Sequence, residues 1–329
     1  MKSRSILLLT IALASPFAAP AQQQPLGPAA TISFPDLQGG FNHMSVDAER
    51  HRLFAAAPTN KTLEVVDLAS NKLLRSLEGD KPAAARYAPE FNQLYVARGQ
   101  SIVIYDGKTL AQIAQVDVQS NLDELQYDPT AKELYVGCMS EGSTGIAVIG
   151  LPEGKLLAKI PLPAKPQGIA VERNGTRLFA NLPDLKQIAV VDRIQRVVLP
   201  PWPMQDVEAN VPLALDEAHH RLFIGARRPA QLVVLDTATG KPVDSVNINT
   251  DTDDLFYDPA AKRVYVSCGE GFVDVIQQLD ADHYRLLTRI PTVSGARTST
   301  LSDGLRTLYV GVPRRSDAPA QILVFKATP

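Results

Sequence analysis

The sequence predicts an all-β protein: a seven-bladed β-propeller of four-stranded antiparallel blades, its ring closed by the N-terminal strand completing the last blade. Three observations carry that prediction. First, one short phrase recurs seven times, as Leu53-Phe54-Ala55, Leu94-Tyr95-Val96, Leu134-Tyr135-Val136, Leu178-Phe179-Ala180, Leu222-Phe223-Ile224, Val264-Tyr265-Val266 and Leu308-Tyr309-Val310, at intervals of 40 to 44 residues. A repeat of that length made of short strands has the size of a propeller blade, and seven of them make a ring. Second, strands such as Ile188-Ala189-Val190-Val191 and Leu232-Val233-Val234-Leu235 are apolar on both faces, as sheets covered on both sides must be. Third, the last repeat is one strand short, while Thr31-Ile32-Ser33-Phe34 precedes the first repeat with no partner of its own.

Blade six shows the plan of one repeat. Asp254-Leu255-Phe256-Tyr257 is its innermost strand, and Asp258-Pro259-Ala260-Ala261-Lys262 is a turn, because proline fixes φ and aspartate caps the bend. Val264 to Ser267, Phe272 to Ile276 and Tyr284 to Ile290 follow as second, third and fourth strands. The other blades repeat the pattern. Inner turns fall at Asp47-Ala48-Glu49-Arg50, Asp128-Pro129-Thr130-Ala131, Arg173-Asn174-Gly175-Thr176, Asp216-Glu217-Ala218-His219 and Ser302-Asp303-Gly304-Leu305. Blade seven supplies strands near 299–302, 307–312 and 321–325, and the segment around Ile32 is expected to become its outer strand, removing a free sheet edge.

Length alone would suggest two domains, but the blades share one ring and no linker interrupts them. Residues 1–21 read as a signal peptide. Lys2 and Arg4 form a charged start, Ile6 to Ala14 are apolar but too short to span a bilayer, and Ala19-Pro20-Ala21 offers a cleavage site before Gln22. No cysteine follows that site to carry a lipid, so the expectation is a monomer without a membrane anchor, periplasmic or secreted. Residues 22–29 are expected to be a flexible lead-in, and 30–329 one propeller domain. The formal charge of −2 supplies no bulk attraction to nucleic acid, so no nucleic-acid partner is expected.

The strands Leu94-Tyr95-Val96-Ala97-Arg98, Leu134-Tyr135-Val136-Gly137-Cys138 and Leu308-Tyr309-Val310-Gly311-Val312, each followed by a strand such as Ile102-Val103-Ile104-Tyr105-Asp106, resemble those of the YVTN-repeat (YncE-like) seven-bladed β-propeller family over about residues 39–326. The resemblance implies the fold and a frequently exported bacterial protein. Propellers of similar architecture include haem- or quinone-linked oxidoreductase subunits, lactonases and lyases. No residue of theirs carries over: the chain has no C-x-x-C-H and a single tryptophan.

Propellers take ligands where side chains from several blades converge at the channel mouth. Aligning the repeats puts Asn42, Ala83, Asp123, Gln167, Val211, Asp253 and Arg297 at one ring position, and His43, Ala84, Glu124, Gly168, Pro212, Asp254 and Thr298 at the next. Asn42, His43, Asp123, Glu124, Gln167, Asp253, Asp254 and Arg297 are therefore the candidate ligand-binding residues, with Asp206, Glu208 and Asp251 as neighbours on the rim. The acids suit an amine or a divalent cation, and Arg297 a carboxylate or phosphate. Alternatively, Arg297 pairs with an acid across the channel and His43 is a hydrogen-bonded channel histidine. No cofactor is required, and no spacing marks a catalytic residue or a metal site.

Cys138 and Cys268 occupy the same place in blades three and six, too far apart on the ring for a disulfide, and are expected as separate buried thiols. Trp202, in Leu199-Pro200-Pro201-Trp202-Pro203-Met204, is either an exposed anchor or a cover over its blade. Taken together, the sequence supports an exported, non-catalytic scaffold that binds a small molecule or a protein at its channel mouth. Two alternatives stay open: a metal-assisted hydrolase, lactonase or lyase using the acidic mouth, and an accessory subunit docking on a periplasmic redox protein.

Overall fold

The computed structural model describes residues 24–328. The leader and its cleavage site near Ala21 lie outside the described residues. Seven separate four-stranded antiparallel sheets follow one another around the chain, and two single-turn 3-10 segments, Pro89–Phe91 and Pro183–Leu185, lie between strands of blades two and four. The innermost strands of blades one to seven are Met44–Asp47, Pro82–Ala88, Leu122–Asp128, Gln167–Val171, Glu208–Asp216, Thr252–Asp258 and Thr298–Ser302. Among the described residues no helix is long and apolar enough to cross a membrane.

The buried side chains divide into seven clusters, each filled from two adjacent blades, so that every seam of the ring has its own core. This is why the strands are apolar on both faces: each sheet is packed on two neighbours. The aromatic of the repeated phrase is the centre of each seam. Phe54, Tyr95, Tyr135, Phe179, Phe223 and Tyr265 are sealed from solvent, and Tyr309 nearly so. Burying one such ring stabilises by about 1.5–3 kcal/mol.

The residue just before that phrase ties each blade to the next in five cases. Arg52 bonds Asp47 at 2.7 Å and reaches the Gly107 carbonyl of blade two. Arg177 holds Glu172 and the Thr237 carbonyl of blade five. Arg221 donates to the Ala281 carbonyl of blade six, and Arg263 to the Thr328 carbonyl at the end of blade seven. Glu133 of blade three takes Arg196 of blade four at 3.3 Å. The four arginines donate to backbone carbonyls of the neighbouring blade, and Glu133 accepts from Arg196.

Leu26–Phe34 pairs antiparallel with Ala320–Ala327 and is the outer strand of blade seven, the closure the sequence predicts. The strand begins earlier than expected. Residues 26–29, assigned to the flexible lead-in, are strand, because Leu26 is fully buried in the seam of blades six and seven opposite Ala327. A register shift between Pro28 and Ala30 accommodates the proline, which has no N–H to give the ladder.

Candidate functional site: the central channel

In five blades the pairing of the first and second strands slips at one place: between Pro82 and Ala84, Leu122 and Leu125, Gln167 and Ile169, Asn210 and Leu213, and Thr252 and Asp254. A bulge bends its strand and re-aims the side chains beside it. The residues at these bulges are the ones the repeat alignment placed on the two ring positions: Ala83, Asp123 and Glu124, Gly168, Val211 and Pro212, and Asp253. Gly168 stands at φ +66°, and a Cβ there would collide with the Val211 carbonyl, so glycine lets the inner strands of blades four and five come together. Blade one reaches the same level through a parallel bridge between His43 and Ala84.

The channel group comprises His43, Asp254, Asp123 and Glu124. His43 Nδ1 lies 3.2 Å from Asp254 Oδ1, across 211 residues of sequence, and its Nε2 lies 3.9 Å from Asp123 Oδ1. Asp254 Oδ2 accepts the Ser299 N–H at 2.8 Å. His43, Glu124, Asp253 and Asp254 line a cavity of about 400 Å³ that draws on all seven blades and extends to the turns at the opposite face. Burial there opposes the charge on His43, but Asp254, then Asp123 and Glu124, outweigh it and raise its pKa well above the usual imidazole value. Burial pushes Glu124 up to about 7, with Asp254 and Asp123 adding to the rise and His43 pulling against it. The channel therefore sets His43, its charged form favoured by the carboxylates around it, beside Glu124, whose charged form burial disfavours.

Arg297 and Asp253 belong to a rim network instead. Arg297 Nη1 is 3.0 Å from Asp251 and its Nε 3.2 Å from Asp253, while Arg227 Nη2 is 2.8 Å from Asp253. Two arginines and two aspartates thus neutralise one another across blades five to seven. Arg297 pairs with acids, the alternative the sequence left open, so its charge is already matched. Asn42 borders a wider cleft at the mouth, with Asp123, Asp253 and Arg297, and its backbone N–H is committed to the Ala56 carbonyl at 2.8 Å. Gln167 sits at its bulge opposite Asn181 and lines neither the channel cavity nor that cleft. Glu208 is paired with Lys186 and Arg228, away from the channel group.

Three arginines at the channel and its rim escaped the sequence reading. Arg86 and Arg173 line the channel cavity, and Arg227 completes the rim network. Arg86 left a signal: it is the one charge in the strand Pro82–Ala88, where a blade interior should be apolar. Two of the histidines outside the channel bond locally: His219 to Asp216 at the opposite face, and exposed His283 to Asp280. Cys138 and Cys268 are free and buried in different seams, and burial raises both thiols. Trp202 stacks on Phe179 with ring centroids 5.2 Å apart and lies under the Gly240 turn, so it covers blade four. Among the described residues no group of three or more His, Cys, Asp or Glu side chains is arranged to hold a metal ion.

The chain matches no protein-family model. Two proteins described as uncharacterised protein YncE, one from Salmonella typhi and one from Salmonella typhimurium, are each 26% identical to it over 197 residues, 59% of this chain and 54% of theirs. The chain spans about half the length of the curated relatives it matches. Among solved structures, a chain of Kuenenia stuttgartiensis hydrazine synthase superposes with a TM-score of 0.73 at 17% identity, covering 86% of this chain and 97% of its own. A chain of the mitotic checkpoint complex superposes with a TM-score of 0.77 at 16% identity, covering 98% of this chain and 100% of its own. Likeness at such identity shows the fold alone. Together, the seven-bladed ring and the YncE matches support a YncE-like propeller family for this chain.

Proposed function

We propose that this protein is a non-catalytic binding scaffold that receives a small polar ligand in its central channel, against His43, Asp254 and Glu124. The observation that carries the reading is the convergence of titratable side chains from separate blades on one cavity, while the charges of the rim pair with one another. A concave site with a few convergent polar groups and shifted pKa values is the arrangement small ligands favour. The site lies one level inside the mouth loops, and an organic ligand suits it better than a divalent cation because the oxygens of Asp254 are already taken by His43 and Ser299.

The test is thermal melting of the dialysed protein with a panel of amino acids, small organic acids, polyamines and sugars. One class should raise the melting temperature saturably, and His43→Gln should abolish the rise. A panel without effect, or a full response in His43→Gln, refutes the reading.

One observation favours a second reading, in which the channel performs general acid–base chemistry: an acid near pH 7 faces an imidazolium. Glu124→Gln would then retain binding and lose turnover. The leader-like residues 1–21 support export to the periplasm or the medium. The likeness to hydrazine synthase adds no residue to a redox-docking role.

A further inference from the structure

Each carboxylate of the channel has a donor. Asp254 is held by His43 and the Ser299 N–H, and Asp253 by Arg227 and Arg297. Toward the opposite face, Asp216 takes His219 and Gln278, and Glu217 takes the backbone N–H groups of Arg173 and Asn174. Glu124 lies under the positive charge of His43 and of Arg86. The guanidiniums are held differently: Arg86 lies in the field of Glu124 and Asp254 without an ion pair to either. Arg86 gives Nε and Nη2 to the Leu125 carbonyl, at 3.3 and 2.9 Å, and Nη2 also reaches the Gln126 side-chain oxygen at 3.4 Å. Among the described residues no carboxylate lies within ion-pair distance of Arg86 or of the Arg173 side chain. Both line the same cavity, Arg86 from the wall of blade two and Arg173 from the inner turn of blade four, close enough for their like charges to repel.

Burial opposes the charge of Arg86, a cost that an accompanying anion offsets, and Arg173 stands exposed at the turn end of the same cavity. Two guanidiniums lining one cavity suit a planar or tetrahedral oxyanion. We propose that the channel seats an oxyanionic group, a carboxylate or a phosphate, between Arg86 and Arg173, with the remainder of the ligand extending toward Glu124 and His43. The inference rests on the channel-binding reading above and names the chemistry of its ligand.

The experiment is isothermal titration of the purified protein with succinate and, separately, with inorganic phosphate, in low-salt buffer. One saturable site is expected for at least one probe. Binding of succinate alone identifies a carboxylate ligand, binding of phosphate alone a phosphate ligand, and equal binding a general oxyanion site. Arg86→Gln and Arg173→Gln should each weaken binding at least tenfold. Arg86→Lys should retain part of it, and Arg285→Gln, an exposed outer-strand change, should leave it intact. Melting temperatures of all variants report whether they fold. The assignment is overturned if the folded wild type binds neither probe, or if Arg86→Gln binds as tightly as wild type. Should a non-anionic ligand still stabilise the protein through His43, only the oxyanion assignment falls; a channel that takes no ligand at all sinks both.

Discussion

Ring closure makes a quantitative prediction. Ile32 sits in the outer strand of blade seven opposite Ile322, and its side chain is 1% exposed. It packs with Phe34, Leu37, Phe41 and Met44 on the seam between the last blade and the first. Truncation to alanine removes three buried carbons from a seam that the fixed strands around it cannot collapse to fill. The expected loss is about 2–4 kcal/mol, the range for burying a cavity in place of an isoleucine. At roughly 2.1 cal/mol/K of unfolding entropy per residue, that is roughly a 3–6 °C drop in melting temperature for a domain of this size. Ser33, one residue on, points to solvent, so Ser33→Ala should stay within about 0.5 kcal/mol. Both variants are compared by thermal and urea unfolding at one pH. If Ile32→Ala loses no more than Ser33→Ala, the N-terminal strand does not close the ring, and the account of the seventh blade is wrong.

Two further outcomes follow from the charges. Glu124, raised to about 7 by burial, and His43, raised by its carboxylates, both make the folded state hold protons more tightly than the unfolded chain. Glu124 therefore contributes stability at acid pH that is lost between its unfolded value near 4.5 and about 7, and His43 stability that is lost as pH climbs through its folded pKa. Glu124→Gln should flatten the fall of melting temperature between pH 5 and 8, and parallel wild-type and variant curves would exclude this coupling. Asp47 is fully buried beside the buried Arg52, so Asp47→Ala strands a charge and should cost about 3–5 kcal/mol in urea unfolding. Glu208→Ala, which breaks the half-exposed pair with Lys186, should cost less than about 1 kcal/mol, and equal losses would contradict the burial argument.

The chain's sequence determined the number of blades, the place of each strand, the closing strand around Ile32 and the separation of Cys138 from Cys268. Each of these depends on a pattern that repeats every blade, because every sheet meets the same two neighbours and must present the same apolar faces to them. It also put His43, Asp123, Glu124 and Asp254 on two adjacent ring positions, since counting from the repeated phrase is counting along equivalent strands. Tertiary structure alone decided which of those residues meet. His43 and Asp254 touch across 211 residues, Arg297 turns to Asp251 and Asp253, and Gln167 joins neither cavity. Bulges in the innermost strands set these directions, and no repeat interval encodes them. That Arg86 and Arg173 line one cavity without an ion pair is likewise visible only in space. A guanidinium's partners are the carboxylates around the axis, and those arrive from blades distant in the chain.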